Sequence, residues 1–288
     1  MKKLFTKISR RKIGWVVGAT ALVGATSFLL TPKPLPPLNT LFRNSETRYA
    51  EIATSTSALF PETATSTVPI VVYHIVRPAY PDDSDAVRGL AHTPEIFDAQ
   101  MRYLNEAGYH VISMRALGIH LRNGTGLPKK PIVITFDDGW RDQFEYAFPI
   151  LQKYHYTATF FVFTNPIGAR GFLTWEDLAT LRDAGMTIGS HSLSHPLLTS
   201  ITDPERLWQE IIVSKRRLEK NLHIHVTEFA YPFGYYNSEI AALVTKAGYT
   251  SARGDVPKKE QTIRDLYTLG ALNAPVSLAG FMRAFPRY

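Results

Sequence analysis

"PIVITFDDGW", residues 131–140, runs from a proline through an apolar stretch into two adjacent aspartates and a glycine. A short apolar run without polar alternation reads as a strand buried on both faces, which suits a parallel sheet. Comparable segments recur on either side: "VPIVVYH" (68–74), "HVISM" (110–114), "TATFFVF" (157–163), "MTIGSHS" (186–192), "EFAYPF" (228–233) and "GYTSA" (248–252). Helical patterns lie between them at 93–109, 174–184, 203–221 and 237–247. The first has a Thr93 cap, Pro94 at its first position, and Phe97, Met101 and Leu104 on one face. A helix across 143–155 must kink or break at Pro149. After "HVISM" a polar loop is expected to lead to Pro131. Strands alternating with helices predict an α/β fold with a parallel sheet, open or closed into a barrel. Functional residues then belong at the C-terminal ends of strands.

Asp137 and Asp138 stand at such an end. Adjacent carboxylates repel and are costly to enclose, so they call for a reason. An Asp-Gly turn at Asp138-Gly139 is one. A cation is the other, and "HSLSH" (191–195) ends another strand with two histidines spaced i, i+4. On a helical turn that spacing presents both imidazoles to one ion. Two histidines and one carboxylate make a three-ligand site with a position left open for water and substrate. Neighbouring side chains on an extended strand point to opposite sides, so one aspartate is expected to ligate and the other to stay free as a base.

The chain has 288 residues, 45% of them hydrophobic, which is ample for a packed core. Its net charge is +7, but six lysines and arginines fall within the first twelve residues, leaving about +1 for the remainder. No basic patch points to nucleic acid. There is no cysteine, which excludes disulfides, thiol catalysis and thiolate-bound metal. The basic head precedes "IGWVVGATALVGATSFLL" (13–30), an uncharged run that would span roughly 27 Å as a helix. Residues 1–30 are therefore expected to form a single-pass membrane anchor with the rest of the chain outside the cytoplasm. A cleaved signal followed by secretion is the alternative. Residues 31–67, rich in Pro, Thr, Ser and Ala, are expected to be a flexible linker, and 68–288 the functional domain.

"TFDDG" (135–139) and "HSLSH", in this order, resemble the polysaccharide deacetylase family, the NodB-homology domain of carbohydrate esterase family 4. The similarity runs over about residues 68–285, and "VPIVVYH" and "TPEIFDAQMRYLNEAGYHVISM" are similar to its bacterial exopolysaccharide and cell-wall branch. The resemblance implies a distorted (β/α) barrel and removal of N-acetyl groups from a GlcNAc-containing glycan. It implies Asp137 as general base, with Asp138, His191 and His195 holding a divalent metal, zinc above all, or cobalt or nickel. "FAYPFGYYN" (229–237) matches a further motif at Tyr231, Pro232 and Phe233, with the Phe233 N–H implied in the oxyanion hole. Trp140, Trp175, Tyr235 and Tyr236 are candidates to stack on sugar rings. Two departures stand out. Ala230 occupies the position where the family places an arginine that orients the base, with Arg141 or Arg253 as possible substitutes. The family's C-terminal histidine acid has no counterpart in "LYTLGALNAPVSL" (266–278), which leaves His74, at the end of the first strand, as the candidate acid. These departures support the alternative of a catalytically degenerate glycan-binding module that keeps the metal pocket.

Overall fold

The computed structural model describes residues 64–287. The expected anchor at 1–30 and residues 31–63 of the expected linker lie outside the described residues. The end of that linker belongs to the fold: β1 (Ser66–Thr67) pairs antiparallel with Glu260–Gln261, so strand pairing starts before Val68. Among the described residues no helix is long and apolar enough to cross a membrane.

In chain order the strands continue as β2 (Ile70–Tyr73), β3 (Ile75–Val76), β4 (Ala91–His92), β5 (His110–Ile112), β6 (Pro131–Phe136), β7 (Thr159–Val162), β8 (Thr187–Ser190), β9 (Glu228–Ala230), β10 (Ser251–Arg253), β11 (Glu260–Gln261) and β12 (Leu272–Asn273). The main sheet runs β10-β9-β8-β7-β6-β2-β12, with β5 paired to the start of β6, and every pairing in it is parallel. Its two edges are joined by one stretch of chain. Leu269 exchanges backbone hydrogen bonds of 3.0 Å with the β10 edge, donating to Ala252 and accepting from Gly254, and three residues later β12 pairs with β2. The sheet therefore curls, as expected of a (β/α) fold.

Strand alternation divides the buried side chains between two cores. Ile70, Val72, Val133, Phe161 and Ala230 pack together on the inside of the curl. Val71, Tyr73, Ile132, Ile134, Phe136 and Phe160 face outward and pack on helical residues such as Phe97, Met101, Leu178 and Leu218. Continuing the inner parity past the strand ends brings Asp137 and His191 to the mouth of the curl.

Two local expectations are corrected. The stretch after "HVISM" is a helix, Met114–Asn123, capped by Ser113, whose hydroxyl accepts the Ala116 N–H. Its apolar positions Met114, Leu117 and Leu121 are buried, a three-and-four spacing masked by arginines and histidine between them. The helix across Pro149 does not stop there. A π-helical turn, Gln143–Ala147, hands over to α-helix Phe148–Lys153, placing Pro149 in the first turn, where no intrahelical donor is required.

Candidate active site

Asp137 remains in the sheet ladder, its N–H donating to the Tyr73 carbonyl at 2.9 Å. Asp138 and Gly139 then both adopt left-handed backbone, at φ 74° and 75°. This reversal corrects the expectation that the two carboxylates point to opposite sides. His191 Nε2 lies 3.8 Å from Asp137 Oδ2 and 3.8 Å from Asp138 Oδ1. The carboxylates flank one imidazole because the turn bends the second back over the strand end.

"HSLSH" is not a helical turn. Ser192 and His195 are left-handed, at φ 71° and 58°, and His195 N–H donates to Ser192 Oγ at 2.9 Å. The loop nevertheless brings His195 Nε2 within 3.1 Å of His191 Nε2 and 3.4 Å of Asp138 Oδ1. His191 Nδ1 contacts the Ala230 carbonyl at 2.8 Å; a carbonyl only accepts, so Nδ1 carries the proton and Nε2 offers its lone pair. Trp140 Nε1–H donates to Asp138 Oδ2 at 3.0 Å, leaving Oδ1 turned toward the histidines. Burial and the neighbouring His191 push His195 down to about 4, against the pull of Asp138, so it is a neutral nitrogen donor at physiological pH.

The donor set fits a small divalent cation. Asp138, His191 and His195 each offer one ligand atom, all within 4.8 Å of one another. Four donors placed tetrahedrally around zinc at ~2.0–2.1 Å are separated by roughly 3.3 Å, close to the spacings found here.

Asp137 is 2% exposed, and its carboxylate is held by the Arg253 guanidinium, Nη2 to Oδ1. Burial alone would raise its pKa, but the charge of Arg253, with smaller help from His191 and His74, holds it below the usual carboxylate range. Arg253 is itself fully buried; Nη1 donates to Asp255 Oδ1 at 3.1 Å, and its Cζ sits 4.9 Å from the Phe161 ring centroid. Phe161 fits there because residue 189 is glycine: a Cβ would lie 2.5 Å from Phe161 Cδ1. Arg253 is also the register partner of Ala230 across β10 and β9. Partners on parallel strands point to the same side, so a guanidinium launched one strand away fills the place of the arginine absent at Ala230. Arg141 is engaged elsewhere, with Glu145 and Asp177.

His74 follows β2 at the same level as Asp137. Its charge favours the Asp137 anion and disfavours protonation of His92, whose pKa burial pushes down to about 4. Gln143, fully buried on the π-helical turn, donates from Nε2 to both the His74 carbonyl (2.7 Å) and the Asp137 carbonyl (2.5 Å). It thereby locks the two strand ends to each other. The sequence reading missed Gln143, which lies among other polar residues in "RDQFEYAF" (141–148) and carries no local signal.

The "YPF" motif divides. Tyr231 and Pro232 are buried, and the Tyr231 hydroxyl donates to the Tyr267 carbonyl at 2.8 Å, so these two shape the site and do not face a ligand. Phe233 is left-handed (φ 59°), 56% exposed, and edge-on to His195 with centroids 4.6 Å apart. Its N–H has no hydrogen-bond partner among the described residues. Of the proposed stacking residues, Trp175 packs on the outer core, Tyr236 stacks on Tyr231, and Trp140 stacks on Phe172 while orienting Asp138. Tyr235 stays 64% exposed.

Comparison with known proteins points to deacetylases. The polysaccharide deacetylase family model matches residues 124–252, which include Asp137, Asp138, His191, His195, Phe233 and the start of β10. YxkH of Bacillus subtilis, which carries the polysaccharide deacetylase name, is 28% identical over 225 residues, 78% of this chain and 77% of its own. The poly-beta-1,6-N-acetyl-D-glucosamine N-deacetylase of Staphylococcus epidermidis is 26% identical over 197 residues, 61% of this chain and 68% of its own. The Streptococcus pyogenes deacetylase PplD, solved with acetate, superposes with a TM-score of 0.71 at 25% identity, over 77% of this chain and 99% of that one. Residues 124–252 carry a polysaccharide deacetylase domain, and the relatives and structural neighbours that bear a name are deacetylases. The protein is a carbohydrate deacetylase, a hydrolase that cleaves amide bonds.

Proposed function

We propose that the protein is a metal-dependent N-deacetylase of a GlcNAc-containing polysaccharide, held at the outer side of a membrane by its N-terminal segment. The observation that carries this is the convergence of Asp138, His191 and His195 beside a buried carboxylate that is not part of their cluster, Asp137. Asp138, His191 and His195 would hold the cation, zinc by preference, with cobalt or nickel as alternatives. When bound, the cation supplies Lewis acidity toward the amide carbonyl and water.

The chain's own residues do the rest. Asp137, kept anionic by Arg253, accepts a proton from the attacking water. Phe233 N–H donates to the developing oxyanion. The C–N bond breaks as His74 delivers a proton to the amine, releasing acetate and a free amino sugar. His74 follows the strand paired with β6, level with Asp137, and its ring has no hydrogen-bond partner among the described residues. Tyr235 and the exposed face of Phe233 would meet the adjoining sugars. The degenerate-binder alternative rested partly on Ala230, and Arg253 meets that objection.

The polymeric substrate is supported by the Staphylococcus epidermidis relative, whose name specifies a β-1,6-linked N-acetylglucosamine polymer. The extracytoplasmic placement rests on the apolar run 13–30 behind its basic head. Acetate release from β-1,6-linked GlcNAc oligomers, chitooligosaccharides and peptidoglycan, with and without zinc, tests the activity. Release that depends on metal supports the assignment, and no release from any of them with metal bound returns the binding module to first place. Retention of the full-length protein in the membrane fraction at high salt tests the anchor; a mature N-terminus between residues 25 and 40 would show cleavage instead.

A further inference from the structure

The 191–195 loop holds two residues, neither of them glycine, in left-handed backbone, Ser192 and His195. Each such placement costs about 1–2 kcal/mol, so the loop must be held from outside. The holder is Glu210, on helix Pro204–Leu222. Its Oε2 accepts the Leu193 N–H at 3.1 Å and the Ser194 N–H at 2.9 Å, while Oε1 accepts the Ser194 hydroxyl at 2.5 Å. Glu210 is 5% exposed and has no cationic partner among the described residues. An enclosed carboxylate without a counter-charge is costly unless donors saturate it, and here three do so, all from the one loop.

The height of Glu210 against the loop is set independently. Four residues along the same helix, Ser214 Oγ meets Ser190 Oγ at 2.7 Å, both fully buried. Ser190 is the last residue of β8 and precedes His191. The hydroxyl pair keys helix to strand, and the carboxylate one turn earlier then reaches the loop beyond the strand end.

We infer that Glu210 is a positioning residue of the metal site: it fixes the 193–194 backbone so that His195 faces His191. This rests on the metal-binding role proposed above for His191 and His195. Glutamine is a weaker substitute: its amide oxygen can accept both N–H groups, but its NH2 must donate to Ser194 Oγ, reversing that bond, and all three lose the strength of a charged acceptor.

Zinc affinity of the full-length chain, measured by chelator competition, and the visible absorption of the cobalt-loaded protein test this. Glu210→Gln is expected to weaken zinc at least about tenfold and to alter the cobalt spectrum. Ser194→Ala, which removes one of the three bonds, is expected to weaken zinc a few-fold. Wild-type binding with Glu210→Gln unchanged in both affinity and spectrum overturns the inference alone. If Glu210→Gln does not fold, Ser194→Ala decides, and unchanged affinity and spectrum there overturn it. A wild-type chain that takes up no zinc overturns the metal role itself, and the inference with it.

Discussion

The two strand ends that make the site are built differently. At 137–139 the reversal is written locally, with Asp138 and Gly139 both left-handed, residue types that tolerate such backbone. The side chain that matters there, Asp137, is fixed from afar by Arg253 and Gln143. At 191–195 no glycine supplies the left-handed positions, which fall on a serine and a histidine, and the backbone itself has to be held, by Ser192 and Glu210. One end has a ready-made turn with a tethered carboxylate; the other has ready-made ligands on a constrained backbone. A fault at the first should therefore alter chemistry, and a fault at the second should alter metal retention.

The largest effect that sharpens this contrast lies at the ligands. His195→Ala, His191→Ala or Asp138→Asn should lose tight metal binding and bring turnover to background, and stoichiometric metal found by elemental analysis in the histidine variants would break it. Asp137→Asn should keep the metal and lower kcat by about 10²–10⁴-fold. Metal loss in that variant would erase the distinction between the two ends.

Arg253→Met tests the tether. Removing one partner of a buried ion pair should cost about 3–5 kcal/mol in denaturant unfolding. Because Arg253 lowers the Asp137 pKa, its loss should raise that pKa and shift the acidic limb of kcat/KM to higher pH. In the wild type the Asp137 contribution to stability is in place above the ordinary carboxylate range and fades as pH falls through its depressed value; in the variant, with burial no longer opposed by Arg253, this dependence should weaken or reverse. The exchange Ala230→Arg with Arg253→Ala should restore part of both, since the two positions are register partners. An unchanged acidic limb in Arg253→Met would show that Asp137 is set by other groups.

His74→Ala should reduce kcat by about 10²-fold, with metal content and unfolding midpoint unchanged and the basic limb altered. Near-normal kcat would remove His74 from the chemistry. The smallest effect is expected at Tyr235→Ala, a rise of several-fold in KM for a polymer, consistent with about 0.5–1.5 kcal/mol for an aromatic contact, and little change in kcat. An equal loss for a monosaccharide amide would argue that Tyr235 acts at the reacting sugar.

Much of this was legible in residues alone. The apolar run 131–136, its repeats and the intervening helical patterns specify the parallel α/β architecture, because strand and helix periods are local and the burial of both sheet faces is visible as absent alternation. The candidate metal cluster was legible too, since "TFDDG" and "HSLSH" put Asp138, His191 and His195 at strand ends whatever the loop geometry, and the structure brings the three together. The helix at Met114–Asn123 was missed because charged residues interrupt its apolar face, and the passage through Pro149 because a π-helical turn is not a sequence pattern. What the tertiary structure alone decided is which side chains meet. Arg253 reaches Asp137 across 116 positions of chain because β10 lies next to β9 and Ala230 leaves room. Tyr231 and Trp175 turned inward, and Glu210 and Gln143 turned toward the site, by the way helices dock on the sheet. Ligand chemistry is a property of residue types and can be read in order along the chain; the tethers that hold it act through space between residues distant in sequence, and no local pattern encodes them.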